Sequence, residues 1–355
     1  MPMTRTWATR GRLLVVGLMV VTGCSGGAGP TATPAAPVKV GVMIDSGSEN
    51  DRSFNQFTLQ GAREAAEEAG FQFAYVTPQS AADYANTLET LIVTEDPDLV
   101  MTVGFRMADA VANAARNHPD LWFAIVDNAY TPGVGCPETV ADCYTEEGGL
   151  SNVTSLMFAE DEVAYLAGVL AGCMTQSGTV ATVAGVEIPP VVRLVTGFEN
   201  GARSVQADVV TLHQYIPDFN DPETGKAVAQ GFISDGADVI FGAGGNTGNG
   251  GLLAAKEAGL MAIGVDVDQY FTYPEVQEAL LTSAAKNVDV AASAAVRDFA
   301  AGQLEAGIRS STLANGGIGL APYHDWEERI PQECKDLVTT AEAAVKADPT
   351  ITGAK

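Results

Sequence analysis

Val38-Lys39-Val40-Gly41-Val42-Met43-Ile44 is a short, almost unbroken apolar run, and residues 54–70 behind it carry alanine-rich helical spacing that ends on Gly70. An apolar run of this length between polar turns is the pattern of a strand buried on both faces. A terminal glycine is a common helix stop. The alternation then repeats, with strands predicted at 72–76, 99–103 and 122–126 and helices at 82–93 and 107–117. Parallel strands need crossover connections, and helices between strands supply them, so this βαβαβαβ rhythm implies a parallel sheet with helices on both faces.

A second series begins near Asn152. Helices are predicted at 160–174, 191–205, 222–234, 250–258 and 288–301, and strands at 179–183, 209–215, 237–241, 260–265 and 280–284. The strand at 237–241 runs into a glycine-rich loop, 242–248. Two doubly wound units in one chain give two lobes facing each other across a cleft. The expected division is 38–155 plus about 286–312 for the N-terminal lobe, and about 156–285 plus 313–345 for the C-terminal lobe.

The first residues bear on the compartment. Arg5, Arg10 and Arg12 precede an apolar run from Leu13 to Val21, about half the roughly 20 residues that a membrane-spanning helix needs. Val21-Thr22-Gly23-Cys24 follows, and the cysteine after two small residues resembles the bacterial lipobox. Residues 1–23 are therefore expected to be a lipoprotein signal peptide and Cys24 the lipidated N-terminus. Residues 24–37, rich in Gly, Ala, Pro and Thr, have no apolar periodicity and read as a flexible tether.

The whole chain holds 19 basic and 44 acidic residues, a net charge of −25. Loss of the three leader arginines would leave 16 basic residues against 44 acidic ones, a charge of −28. So acidic a surface argues against nucleic-acid binding and against polybasic contact with a membrane, leaving the lipid as the only membrane attachment. The four cysteines after Cys24 favour disulfides in an oxidising compartment. Cys136 and Cys143 flank a turn-rich stretch, and Cys173 would then pair with Cys334; this pairing is favoured over the other two. No C-x-x-C occurs, and His118, His213 and His324 lack ligand spacing, so no metal is expected.

Ligands of parallel sheets collect at the carboxyl ends of the strands. After the first strand come Asp45 and the string Ser46 to Asn55, and after the third Gly104-Phe105-Arg106. Asp127-Asn128, Asp266-Val267-Asp268-Gln269 and Lys286 follow other strands. Gly41-Val42-Met43-Ile44-Asp45, Asn50-Asp51-Arg52-Ser53-Phe54-Asn55-Gln56, Phe123-Ala124-Ile125-Val126-Asp127 and Ile263-Gly264-Val265-Asp266-Val267-Asp268-Gln269 resemble the basic membrane protein family of lipoproteins. The likeness runs from about Val38 to Pro322 and implies a type I periplasmic-binding fold, two Rossmann-like lobes that capture purine nucleosides for an ABC permease and ATPase.

The resemblance also implies roles. Phe54 and Phe198 match an aromatic from each lobe that sandwiches the base, although Phe198 sits in a helical stretch where core burial competes. Asp127 and Asp266 match positions that hold the sugar, where ionised carboxylates accept from adjacent hydroxyls; helix N-capping is their competing role. Lys286 matches a lysine reaching the same region, with a solvated face as the alternative. Asp45, Asn50, Ser53 and Asn55 are read as further polar contacts, and Gly244 as a pocket wall near the sugar. Neither G-x-G-x-x-G nor a Walker string is present, which argues against phosphate. No catalytic triad or metal cluster is legible, so an enzyme is not expected and no cofactor is implied. A monomer is expected, with a flavin, another aromatic metabolite or a sugar as alternative ligands and sensing as the alternative role.

Overall fold

The computed structural model describes residues 36–354; the expected signal peptide, Cys24 and most of the tether lie outside them. In chain order the elements begin β1 (Lys39–Ile44), α1 (Phe54–Glu68), β2 (Gln72–Val76), α2 (Tyr84–Glu95), β3 (Leu99–Val103), α3 (Ala108–Asn117) and β4 (Trp122–Val126). A small ribbon, β5 (Thr131–Pro132) with β6 (Gly135–Cys136), precedes β7 (Val153–Phe158). Then come α4 (Glu160–Met174), β8 (Thr179–Ala184), α5 (Pro189–Val205), β9 (Val210–Tyr215), α6 (Pro222–Ser234), β10 (Val239–Ala243), α7 (Gly245–Glu257) and β11 (Met261–Asp266). The chain continues with α8 (Gln269–Thr272), β12 (Leu280–Ala285), α9 (Val288–Ala300), β13 (Gly307–Ser311), β14 (Gly319–Leu320) and α10 (Gln332–Ala347).

Two six-stranded sheets result, ordered β13-β7-β4-β3-β1-β2 and β14-β12-β11-β10-β8-β9. All pairings in them are parallel except β12 with β14. Central strands such as β3 and β8 are buried along their whole length, while the edge strands β2 and β9 are half exposed. That difference is why the central runs are unbroken and the edges mixed. This is the type I periplasmic-binding architecture. The chain passes from the first sheet to the second after β7, returns after β12, and leaves again after β13.

The periodicity reading omits β7, β13, β14 and α10. β13 is an edge strand, Gly307-Ile308-Arg309-Ser310-Ser311, whose polar composition carries little strand signal. The glycine-rich segment 242–248 is not a loop either: it ends β10 and forms the first turn of α7. Helix α7 tolerates these glycines because its neighbour α6 packs against its backbone. A Cβ on Gly250 would lie 2.0 Å from the Pro222 carbonyl oxygen.

Helices α4 and α5 meet in the same way. Gly168 faces the Phe198 carbonyl oxygen, 2.0 Å from where a Cβ would stand, and Gly201 faces that of Tyr165 at the same distance. Disulfides join Cys136, the last residue of β6, to Cys143 in the loop beyond it, and Cys173 on α4 to Cys334 on α10. Among the described residues no helix is long and apolar enough to cross a membrane. Gly168→Ala should therefore lower the free energy of unfolding by about 1–3 kcal/mol through overpacking against immovable backbone. Thermal denaturation checks this; an unchanged midpoint would contradict the backbone contact.

Candidate functional site

The carboxyl ends of both sheets line one cavity, the place where doubly wound sheets hold their ligands. From the first lobe come Asp45 after β1, Gly104 and Phe105 after β3, Asp127 after β4, and Phe54 and Asn55 at the start of α1. From the second come Gly244, Asp266, Lys286, Phe219 and an apolar wall at the start of α5.

Asp127 and Asp266 occupy matching places. Each stands at the carboxyl end of the strand that lies three along from its sheet's β2 or β9 edge, and each has φ +66° there. A left-handed backbone costs a non-glycine residue on the order of 1–3 kcal/mol, and such outliers gather at functional sites. Here the same outlier recurs at two corresponding strand ends that face one cavity.

Between the lobes lies a buried charge cluster. Lys286 Nζ donates to both oxygens of Asp127 at 2.8 Å and to Glu160 Oε1 at 3.0 Å. The rings of Phe54 and Phe158 stand 5.0 and 4.8 Å from the same ammonium. Arg193 Nε donates to the other Glu160 oxygen at 2.7 Å. Ser53 Oγ donates to Asp266 Oδ2 at 2.6 Å.

Burial pushes Asp127 up to about 7, with Lys286 pulling against it and Glu160 adding to the rise. Burial raises Asp266 as well. For Lys286 burial opposes the charge, but Asp127, Glu160 and Asp266 together outweigh it and hold the ammonium above its ordinary range. Burial also lifts Asp51 to about 6, against the backbone N–H groups of Asn55, Gln56 and Ser53 that it accepts at the start of α1. Formally the cluster sets three carboxylates against Lys286 and Arg193, so its excess charge is negative.

At the other end of the cavity Arg106 donates to Asp45 at 2.7 Å through Nη2 and 3.2 Å through Nε, and the Tyr84 hydroxyl donates to the same carboxylate. Burial, then the Asp45 charge, raises Tyr84 to about 12. The Arg106 guanidinium also lies 5.4 Å from the Phe219 ring centroid, across the cleft. Phe219 rests against Gly185, where a Cβ would stand 2.4 Å from its ring, while a Cβ on Gly244 would meet Gly185 instead, 2.4 Å from its N.

Most residues singled out from sequence gather here, but three do not line the cavity. Phe198 is a core side chain, 1% exposed, stacked near Phe241 with centroids 5.0 Å apart, because its helix turns that face toward the sheet. Phe219 is the second-lobe ring in the lining. Asn50 is exposed and takes its N–H to Ser48 Oγ, outside the lining. Ser53 is buried and reaches Asp266 rather than the cavity surface. Sequence reasoning misses Asp51, Glu160 and Phe219. The signal for Phe219 was an aromatic in a polar loop, Asp218-Phe219-Asn220-Asp221, just beyond the carboxyl end of β9.

The raised Asp127 fixes a sign. A carboxyl that titrates higher folded than its unfolded value of about 3.9 favours the fold most at low pH, and that support is lost as pH rises through about 7. Lys286→Met leaves Asp127 and Glu160 buried without their ammonium, which should cost about 3–5 kcal/mol at about pH 8. At about pH 5.5 protonation of Asp127 should make the loss smaller. Urea unfolding at the two pH values measures the gap; an equal loss at both would contradict the arrangement.

Residues 38–340 match the family model described as ABC transporter substrate-binding protein PnrA-like, Bmp. An uncharacterised lipoprotein of Pyrococcus abyssi is 31% identical over 86% of this chain and 75% of its own length. The ABC transporter nucleoside-binding protein BmpA of Lactococcus lactis is 27% identical over 94% of both chains. Among solved structures, an ABC transporter solute-binding protein of Aeropyrum pernix superposes with a TM-score of 0.78 at 28% identity, covering 88% of this chain and 92% of that one. With the family model matching residues 38–340, most of the two-lobed body, the chain belongs to the Bmp family of PnrA-like ABC transporter substrate-binding proteins, a binding protein and not an enzyme.

Proposed function

We propose that the cleft binds a purine nucleoside, with the base between aromatic rings and the ribose hydroxyls on Asp127 and Asp266. The observation that carries this is the pairing of two αL aspartates at matching strand ends with rings from both lobes, Phe54 and Phe219, in one cavity. Ionised carboxylates accept only, so they suit a neighbouring pair of hydroxyls. Phe219 takes the place in the sandwich that the family resemblance implied for Phe198. The Lactococcus lactis relative's name, nucleoside-binding protein, points the same way.

The charge balance narrows the class. Arg106 is committed to Asp45, and Lys286 and Arg193 are committed to Asp127 and Glu160. A phosphate would meet an excess of carboxylate with no spare cation, so nucleosides are favoured over nucleotides. The cargo then passes to a permease and ATPase, with the chain exported, monomeric and held at the membrane through a lipid on Cys24. The lipobox-like Val21-Thr22-Gly23-Cys24 and the lipoprotein name of the Pyrococcus abyssi relative support the anchor.

A thermal-shift panel tests the ligand. Ligand at about 100 times its Kd adds about 2.7 kcal/mol, so guanosine, inosine or adenosine should raise the melting point and their monophosphates should not. A shift from a flavin or a sugar alone would replace the ligand. Phe219→Ala should weaken nucleoside binding by the roughly 1–3 kcal/mol of base stacking with little change in stability. Phe198→Ala should instead cost about 3–5 kcal/mol of stability, and the reverse pattern would return Phe198 to the site.

A further inference from the structure

The tripeptide Asp51-Arg52-Ser53, just before α1, touches the second lobe at each residue. Asn249 Nδ2 donates to the Asp51 carbonyl at 2.9 Å. Thr272 Oγ1 donates to the Arg52 carbonyl at 2.8 Å. Ser53 Oγ reaches the Val265 carbonyl at 3.2 Å and Asp266 Oδ2 at 2.6 Å.

The Arg52 side chain adds two contacts. Its guanidinium donates to Glu275 Oε2 at 2.7 Å and lies 4.5 Å from the Tyr273 ring centroid. Arg52 does not line the cavity. Its backbone is held at φ +60°, between the Asp51 carboxylate that caps α1 and Gln56 Oε1, which accepts the Arg52 N–H at 3.0 Å. The segment is thus a rigid projection of the first lobe seated on the 265–275 segment of the second.

We propose that Arg52 is a clasp: a positioning residue that holds the lobes closed across the cleft mouth without touching cargo. Opening the cleft must break its bond to Glu275, lift it from Tyr273 and separate Ser53 from Asp266. Because Asp266 also faces the cavity, the clasp and the site share one strand end. Cargo retention then depends on a contact outside the site.

Hydrogen exchange on the full chain without ligand tests this. Arg52→Met keeps the aliphatic stem and removes the guanidinium. It should quicken exchange about two- to fivefold, the range of an exposed ion pair, in residues 47–56 and also in 265–275 of the opposite lobe. Glu275→Gln should give the same change in both segments, and the double variant no more than either single one. Acceleration confined to the lobe that carries the substitution, or fully additive effects, would overturn the clasp. Release of guanosine from each variant should quicken by the same factor. A protein that takes no guanosine would change the choice of ligand and leave the exchange comparison to decide.

Discussion

An ammonium shut away from water is tolerated only where carboxylates surround it, and Lys286 is held by two of them from different parts of the fold. It lies on the segment that returns from β12 to α9. Asp127 ends a central strand of the first lobe, and Glu160 opens α4 just after the chain first crosses over. One buried cation therefore ties two crossing segments to the strand end that faces the cleft. Glu160 is 0% exposed and is shared with Arg193, so the second lobe is fastened to the same cluster. An excess carboxylate remains after this pairing, and it faces the cavity where a ligand with hydroxyl donors would satisfy it.

Around this cluster the two lobes repeat one plan. Each has a sheet whose order switches direction beside its first strand, and the cavity lies outside the carboxyl ends there, as in other doubly wound sheets. Each ends the equivalent strand on an αL aspartate. The lobes depart from each other in their rings: Phe54 is presented by a helix start, while Phe219 comes from a loop and needs the bare Cα of Gly185 beside its ring.

The sheets were legible because their central strands are continuous apolar runs set off by helices. Asp127, Asp266, Asp45 and Lys286 were legible because the strand ends are where such sheets place ligands, and the cavity gathers all four. The edge strand β13 was not legible, since none of its residues is fully buried and its pattern is polar. That Phe198 lies in the core and Phe219 in the cavity lining was not legible, because a phenylalanine in an amphipathic helix and one in a polar loop carry no local sign of which way the chain turns them. Glu160 was hidden by an ordinary preference: acidic residues are common in a helix's first turn, and nothing local shows that this one is buried against a lysine. Interlobe bonds such as Ser53 to Asp266 join residues 213 apart, and no local pattern announces them.

The most direct measurement is a crystal structure of the protein grown with guanosine. The nucleoside should lie in the cleft with its ribose hydroxyls within hydrogen-bond distance of Asp127 or Asp266 and its base against Phe54 and Phe219. Guanosine bound elsewhere, or bound in the cleft with neither carboxylate in contact, would contradict the role given to the paired strand-end aspartates.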